Sequence, residues 1–219
     1  MQELAPGGLV CPPLRRDALG AKHRVTERRG RRGMFHGTPT LLLIDLQKAV
    51  DHPSWGPRNN VDAERTIARL LQEWRTRKLP LIHVRHDSSE PGSTYRPGQV
   101  GHEFKPEAAP RAGEVVVAKH TNSAFIGTDL ESRLRTAGCR ALVVVGVSTS
   151  NCVEATVRMA GNLGFETFLV EDGCFTFDRR DWSGRRRTAT EVHDMSLANL
   201  SGEYCTVVTA EWVCAELGA

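Results

Sequence analysis

At 219 residues, 40% of them hydrophobic, the chain is long enough for one α/β domain with a full core. Its formal net charge of +3 is unevenly spread: residues 1–33 carry eight Lys/Arg against Glu3, Asp17 and Glu27, a net of +5, which leaves −2 for the remainder. That balance excludes a broadly basic, nucleic-acid-binding body, and no apolar run approaches the ~20 residues that span a bilayer.

The first 33 residues read as a basic, disordered tail. "APGGLVCPPLRRDALG" has no periodicity, and "RVTERRGRRG" lacks the interleaved aromatics of a nucleic-acid contact. Met34 stands before the first strand as an alternative start. The six cysteines (11, 139, 152, 174, 205 and 214) form no CxxC pair and no zinc spacing, and nothing resembles a secretory signal. Free thiols and a cytoplasmic location are expected.

From residue 34 to 219, apolar runs alternate with helical patterns. "TLLLIDL" predicts a strand covered on both faces and ended by a carboxylate, Asp45. "NNVDAERTIARLLQEWRTRKLP" predicts an amphipathic helix with Ile67, Leu70, Leu71 and Trp74 inward, capped by Asn60 or Asp62. "PLIHVRH" is a second strand, and a Gly- and Pro-rich loop runs from Asp87 to Gly113. "EVVVAK" is a third strand ending at Lys119, "TDLESRLRTAG" a helix and "RALVVVGV" a fourth strand. "NCVEATVRMAGNLG" follows as a helix, "FETFLVEDGC" as a fifth strand, "GRRRTATEVHDMSLANLSG" as a helix and "YCTVVTAEWV" as a sixth strand with a terminal segment. This pattern predicts an α/β fold: a three-layer α-β-α, doubly wound sheet of six mainly parallel strands in order 3-2-1-4-5-6.

In that order strands 1 and 4 are neighbours, and ligands bind beyond their carboxyl ends. Asp45 and Cys152 therefore meet over one crevice, within reach of Lys119. A carboxylate ending an apolar strand needs a partner or a task. Cys152 is less determined. Cysteines are usually packed hydrophobes, the role assigned to Cys139, Cys174 and Cys205, and position alone leaves Cys152 open between that role and a nucleophile. With Asn151 as N-cap and Glu154 completing a capping box, Cys152 falls in a first helical turn, where the helix end and Lys119 favour thiolate. Backbone N–H groups of "STSNC" face the same place as oxyanion donors.

"LLLIDLQKAV", "VVVAKHTNSAF" and "VVVGVSTSNCVEATVRMAGNLGFETFLVEDGC" resemble, in order and spacing, three signature segments of the isochorismatase-like cysteine hydrolases, over about Thr40 to Val213. The resemblance implies an Asp45, Lys119, Cys152 triad and a cis peptide joining Val147 to Ser148, which would aim the Ser148 N–H beside that of Cys152 at a developing oxyanion. The retained cysteine favours amide hydrolysis through a thioester over the family's vinyl-ether hydrolysis. "DHPSWGPRNN", "HEFKP" and "VHDMSLANLSGEY" are similar to a branch that includes streptothricin hydrolases, with N-carbamoylsarcosine amidase as a relative. Metal-holding members carry an Asp-x-His pair. Here Asp87 is followed by Ser88 and Ser89, so no metal or other cofactor is expected, and His83, His86 and His102 are assigned packing or surface roles.

Gln47, Trp55 and Phe125 are candidates for the substrate wall. The expected partner is a small-molecule amide, not nucleic acid or membrane, and the family implies a homo-oligomer, dimer or tetramer. A redox-sensing thiol and a non-catalytic binding module are the rival readings.

Overall fold

The computed structural model describes residues 34–218; the expected tail, and Cys11 within it, lie outside them. Six parallel strands form the central sheet, in the order third, second, first, fourth, fifth, sixth. These are β1 (Pro39–Ile44), β2 (Leu81–His86), β3 (Val115–Lys119), β4 (Ala141–Val147), β5 (Glu166–Phe175) and, after a small hairpin, β8 (Thr206–Val208). The hairpin, β6 (Arg179–Arg180) against β7 (Arg186–Arg187), is antiparallel and stands apart from the sheet. It carries no apolar alternation, which is why the sequence pattern does not announce it.

Burial explains the order. Every residue of β1 and β4 is buried, so these two β-branched and leucine-rich runs occupy the centre, in register from Pro39 against Ala141 to Ile44 against Gly146. Helix α1 (Ala63–Arg77) buries Ile67, Leu70, Leu71 and Trp74. With α5 (Ala210–Gly218), whose Val213 joins the same cluster, it covers one face. Helices α2 (Leu130–Thr136), α3 (Glu154–Asn162) and α4 (Ala189–Leu200) cover the other, through Leu130, Leu134, Val157, Ala160 and Leu200. The result is the expected three-layer α-β-α stack. No described helix is long and apolar enough to cross a membrane.

Three local expectations are corrected. Asn60 and Asp62 make no side-chain cap on α1: Asn60 Nδ2 instead donates to the Glu171 and Cys174 carbonyls, tying the preceding loop to β5. The sixth strand stops at Val208 because Thr209 Oγ1 accepts from Trp212 N and Asp172 Oδ1 accepts from Ala210 N, satisfying the first donors of α5. The third concerns the turn that carries Cys152. Asn151 does not cap α3; it lies inside a π-type turn, Thr149–Val153, that precedes the helix.

Candidate active site

The site forms where three strand ends come together. Asp45 follows β1 with φ 53°, a left-handed conformation that turns the chain sharply after Ile44. Cys152 follows β4 in the π-type turn, beyond a Val147–Ser148 peptide that is cis. Lys119 ends β3, paired in register with His86 of β2. Gly146 permits this assembly: a Cβ there would stand 2.2 Å from the Ile44 carbonyl oxygen. Strands β1 and β4 can therefore close up just before Asp45 and Cys152 diverge.

The Lys119 ammonium is at the centre, although the side chain is wholly buried. It donates to Asp45 Oδ2 at 2.7 Å, His86 Nδ1 at 2.9 Å, the Thr121 carbonyl at 3.0 Å and Cys152 Sγ at 3.3 Å. Asp45 Oδ1 has no hydrogen-bond partner among the described residues. Ligand-type atoms of Asp45, His86 and Cys152 lie within 4.8 Å of one another, a spacing that in another setting would suit a metal ion. Here the ammonium hydrogen-bonds to all three side chains and already supplies the positive charge.

The electrostatics correct one expectation. Burial, reinforced by the Asp45 carboxylate, pushes the Cys152 thiol well above the ordinary thiol range, against the pull of Lys119. The cysteine is held as a thiol in the free site. Desolvation likewise raises Asp45, opposed by Lys119. Burial and Lys119 depress the His86 imidazole to about 4. It is neutral at pH 7, with Nδ1 accepting from Lys119 and its proton on Nε2.

Above these groups opens a cavity of about 310 Å³. Asp45, Val147, Ser148 and Cys152 form its floor, and Trp55, Tyr95, His86 and Asn122 stand around it. Trp55 is fixed by Nε1 donating to the Ala49 carbonyl at 2.9 Å and by packing on Tyr95 and Phe177. The other two wall candidates lie elsewhere. Gln47 is fully buried: its amide donates to the His86 and His102 carbonyls and accepts from His86 N, bracing the end of β2. Phe125, partly buried, stacks on Phe165 and packs against the core under α2 and α3, next to Ala124, whose N–H donates to Thr156 Oγ1.

Sequence reasoning missed Tyr95 and Asn122, and the packing or surface role it assigned to His86 is corrected, since His86 lines the cavity and accepts from Lys119. Tyr95 donates to the Asp45 carbonyl at 3.4 Å, and Asn122 Oδ1 lies 3.6 Å from Cys152 Sγ. Only the β2–β3 pairing of His86 with Lys119 could have indicated the histidine. The other two sit on irregular loops without periodicity. His83 faces Glu114, and His102 binds Asp87, which is also clamped by Arg85.

Residues 39–211 match the isochorismatase domain family. The isochorismatase family protein YrdC of Bacillus subtilis is 39% identical over 171 residues, covering 78% of this chain and 91% of its own. A crystal structure of an isochorismatase-family protein from Chromobacterium violaceum superposes with a TM-score of 0.82 at 68% identity, over 84% of this chain and 96% of that one. More distant relatives include streptothricin hydrolase of Streptomyces noursei, 33% identical over 141 residues (63% of this chain, 50% of the relative). Maleamate amidohydrolase of Pseudomonas putida is 29% identical over 212 residues (89% and 94%). Domain match and relatives together make this chain a member of the isochorismatase family, whose members are hydrolases, amide hydrolases included.

Proposed function

We propose that the protein is a cysteine amidohydrolase that cleaves a small-molecule C–N amide, linear or cyclic, through a thioester on Cys152. The observation that carries this reading is the Lys119 ammonium joined to both Asp45 Oδ2 and Cys152 Sγ on the floor of one cavity. A relative named maleamate amidohydrolase supports the amide class.

Substrate binding dries the site and brings a carbonyl carbon over the sulfur. Asp45 takes the thiol proton as the sulfur attacks, a transfer favoured by its own raised carboxyl pKa. Net charge is conserved: the Lys119 ammonium faces first a carboxylate and a thiol, then a carboxylic acid and a thiolate. Backbone N–H groups of Ser148 and Cys152 receive the oxyanion; donors of this kind are each worth roughly 3 kcal/mol in the transition state. Asp45 returns the proton to the departing nitrogen, the amine or ammonia leaves, and a thioester remains. Water then attacks the thioester while Asp45 accepts its proton and passes it to the sulfur, releasing the acid and the thiol.

The test is turnover of a carboxamide panel read as ammonia release, with rapid-quench mass spectrometry for an adduct on the peptide containing Cys152. Cys152→Ala is expected to lower kcat by at least about 10³-fold with an unchanged circular dichroism spectrum. Turnover retained by that variant overturns the mechanism. Because Lys119 supplies the site's cation, chelator treatment is expected to leave turnover unchanged.

A further inference from the structure

The cavity is notable for the charges it lacks among the described residues. Of its lining side chains Asp45, His86 and Cys152 are titratable besides the Tyr95 phenol, and the same ammonium engages all three. The rest of the polar lining is neutral: the Asn122 and Asn151 amides, the hydroxyls of Ser54, Ser93 and Thr94, and the Tyr95 phenol. Most charged groups around the opening are already paired, Arg96 and Arg179 excepted. Lys48 binds Glu103 at 2.5 Å, Lys105 binds Asp51 and Glu64, and Asp87 is shared by Arg85 and His102. Two arginines come near without lining the cavity. Arg96 donates to the Pro91 carbonyl. Arg179, on β6, touches Ser150 and Asn151 at 3.5 Å from an adjoining groove between the hairpin and α4.

A substrate carboxylate in this cavity would lose its water and meet no lysine or arginine among the described lining residues; an ammonium would meet an aspartate already neutralised by Lys119. Unpaired charge in such a place is costly. A carboxamide, by contrast, finds neutral amide and hydroxyl partners and an aromatic wall in Trp55 and Tyr95. The volume of about 310 Å³ is at the lower end of the range of small-molecule pockets, roughly 300–1,000 Å³.

We infer that the substrate is a small amide carrying no ionised group, so that this protein discriminates against amides bearing a carboxylate. This rests on the amidohydrolase reading, and the experiment separates the two. Turnover is measured at pH 7.5 for uncharged maleamide, nicotinamide and benzamide, for maleamate, which is maleamide with one amide replaced by carboxylate, and for cationic β-alaninamide. Binding of the same five compounds to Cys152→Ala is followed by calorimetry.

The expected result is a kcat/KM at least 100-fold higher for maleamide than for maleamate, with the same order in binding to Cys152→Ala. Maleamate or β-alaninamide equalling the uncharged amides overturns the inference. If Arg179→Ala then abolishes turnover of maleamate, that arginine reaches the site. Selective binding of uncharged amides without turnover of any keeps the substrate class and removes the amidase reading. Binding of none of the three uncharged amides overturns the substrate class.

Discussion

Burying a lysine and an aspartate side by side removes both from water, and the cost is recovered only when every remaining donor and acceptor finds a partner. Lys119 meets this condition with four acceptors, whereas Asp45 Oδ1 has no partner among the described residues, one oxygen free to receive a proton. Lys119→Met removes the influence that opposes desolvation of Asp45, so its carboxyl pKa climbs further. A carboxyl whose folded pKa exceeds its unfolded value, ~3.9, contributes stability at low pH and loses it as pH rises through the folded pKa. The stability deficit of Lys119→Met relative to the parent is therefore expected to widen from acid to neutral pH in denaturant titrations, and kcat to fall at least about 10³-fold. His86 has the opposite character. Its imidazole pKa is depressed to about 4, so between ~6.5 and 4 the unfolded chain binds the extra proton and stability declines as pH drops. An imidazole resonance that titrates near 4 by proton NMR is the expected signature; one that titrates near 6.5 would show that His86 does not accept from Lys119.

At the scale of elements, the site depends on how closely β1 and β4 approach. Gly146→Ala puts a Cβ at 2.2 Å from the Ile44 carbonyl oxygen, on a residue whose φ is +138°. The strands must part next to Asp45, and a displacement of about 1 Å at a catalytic group can cost ~10²-fold. We expect kcat to fall by about that factor and thermal stability to fall with it. A second joint ties α1 to β3, where Arg75 near the end of the helix clamps Glu114 with two hydrogen bonds, 2.7 and 2.8 Å, both side chains largely buried. The Arg75 guanidinium chiefly draws the Glu114 carboxyl down to about 2. A depressed carboxyl pKa stabilises above the unfolded value and loses that contribution as pH falls toward the folded one. Arg75→Ala is therefore expected to lower stability at pH 7 in urea unfolding, a deficit that shrinks between pH 4.5 and 2.

For the whole molecule, the sheet separates two cores that share no side chains: Leu70 and Trp74 of α1 belong to one, and Leu134 and Val157 of α2 and α3 to the other. Leu70→Ala and Leu134→Ala each leave a cavity beneath a fully packed helix, at about 2–5 kcal/mol. Because the two sites lie on opposite faces, their costs are expected to add within about 0.5 kcal/mol in the double variant, measured by urea unfolding. A clear departure from additivity would mean that strain passes through the sheet. Asp45 and Cys152 follow strands in which every residue is buried.

By itself the amino-acid sequence determined the fold. Continuous apolar runs for β1 and β4 and a 3.6-residue stripe in α1 express burial locally, and from their alternation followed the strand order and the meeting of Asp45 with Cys152. Lys119, Trp55 and the neighbouring turn could be located from the same pattern together with the family resemblance. The tertiary structure alone decided which loop side chains turn inward. Gln47 and Phe125 follow or neighbour site residues in sequence yet serve β2 and the α2–α3 core, while Tyr95 and Asn122, from segments without periodicity, reach the cavity. It also decided the protonation of Cys152. A helix start is a local feature and predicts thiolate, but desolvation and the Asp45 carboxylate, brought from more than a hundred residues away, outweigh it. Local pattern records which residues avoid water; the direction of a loop side chain and the charge on a buried thiol depend on distances that exist only after the strands have paired.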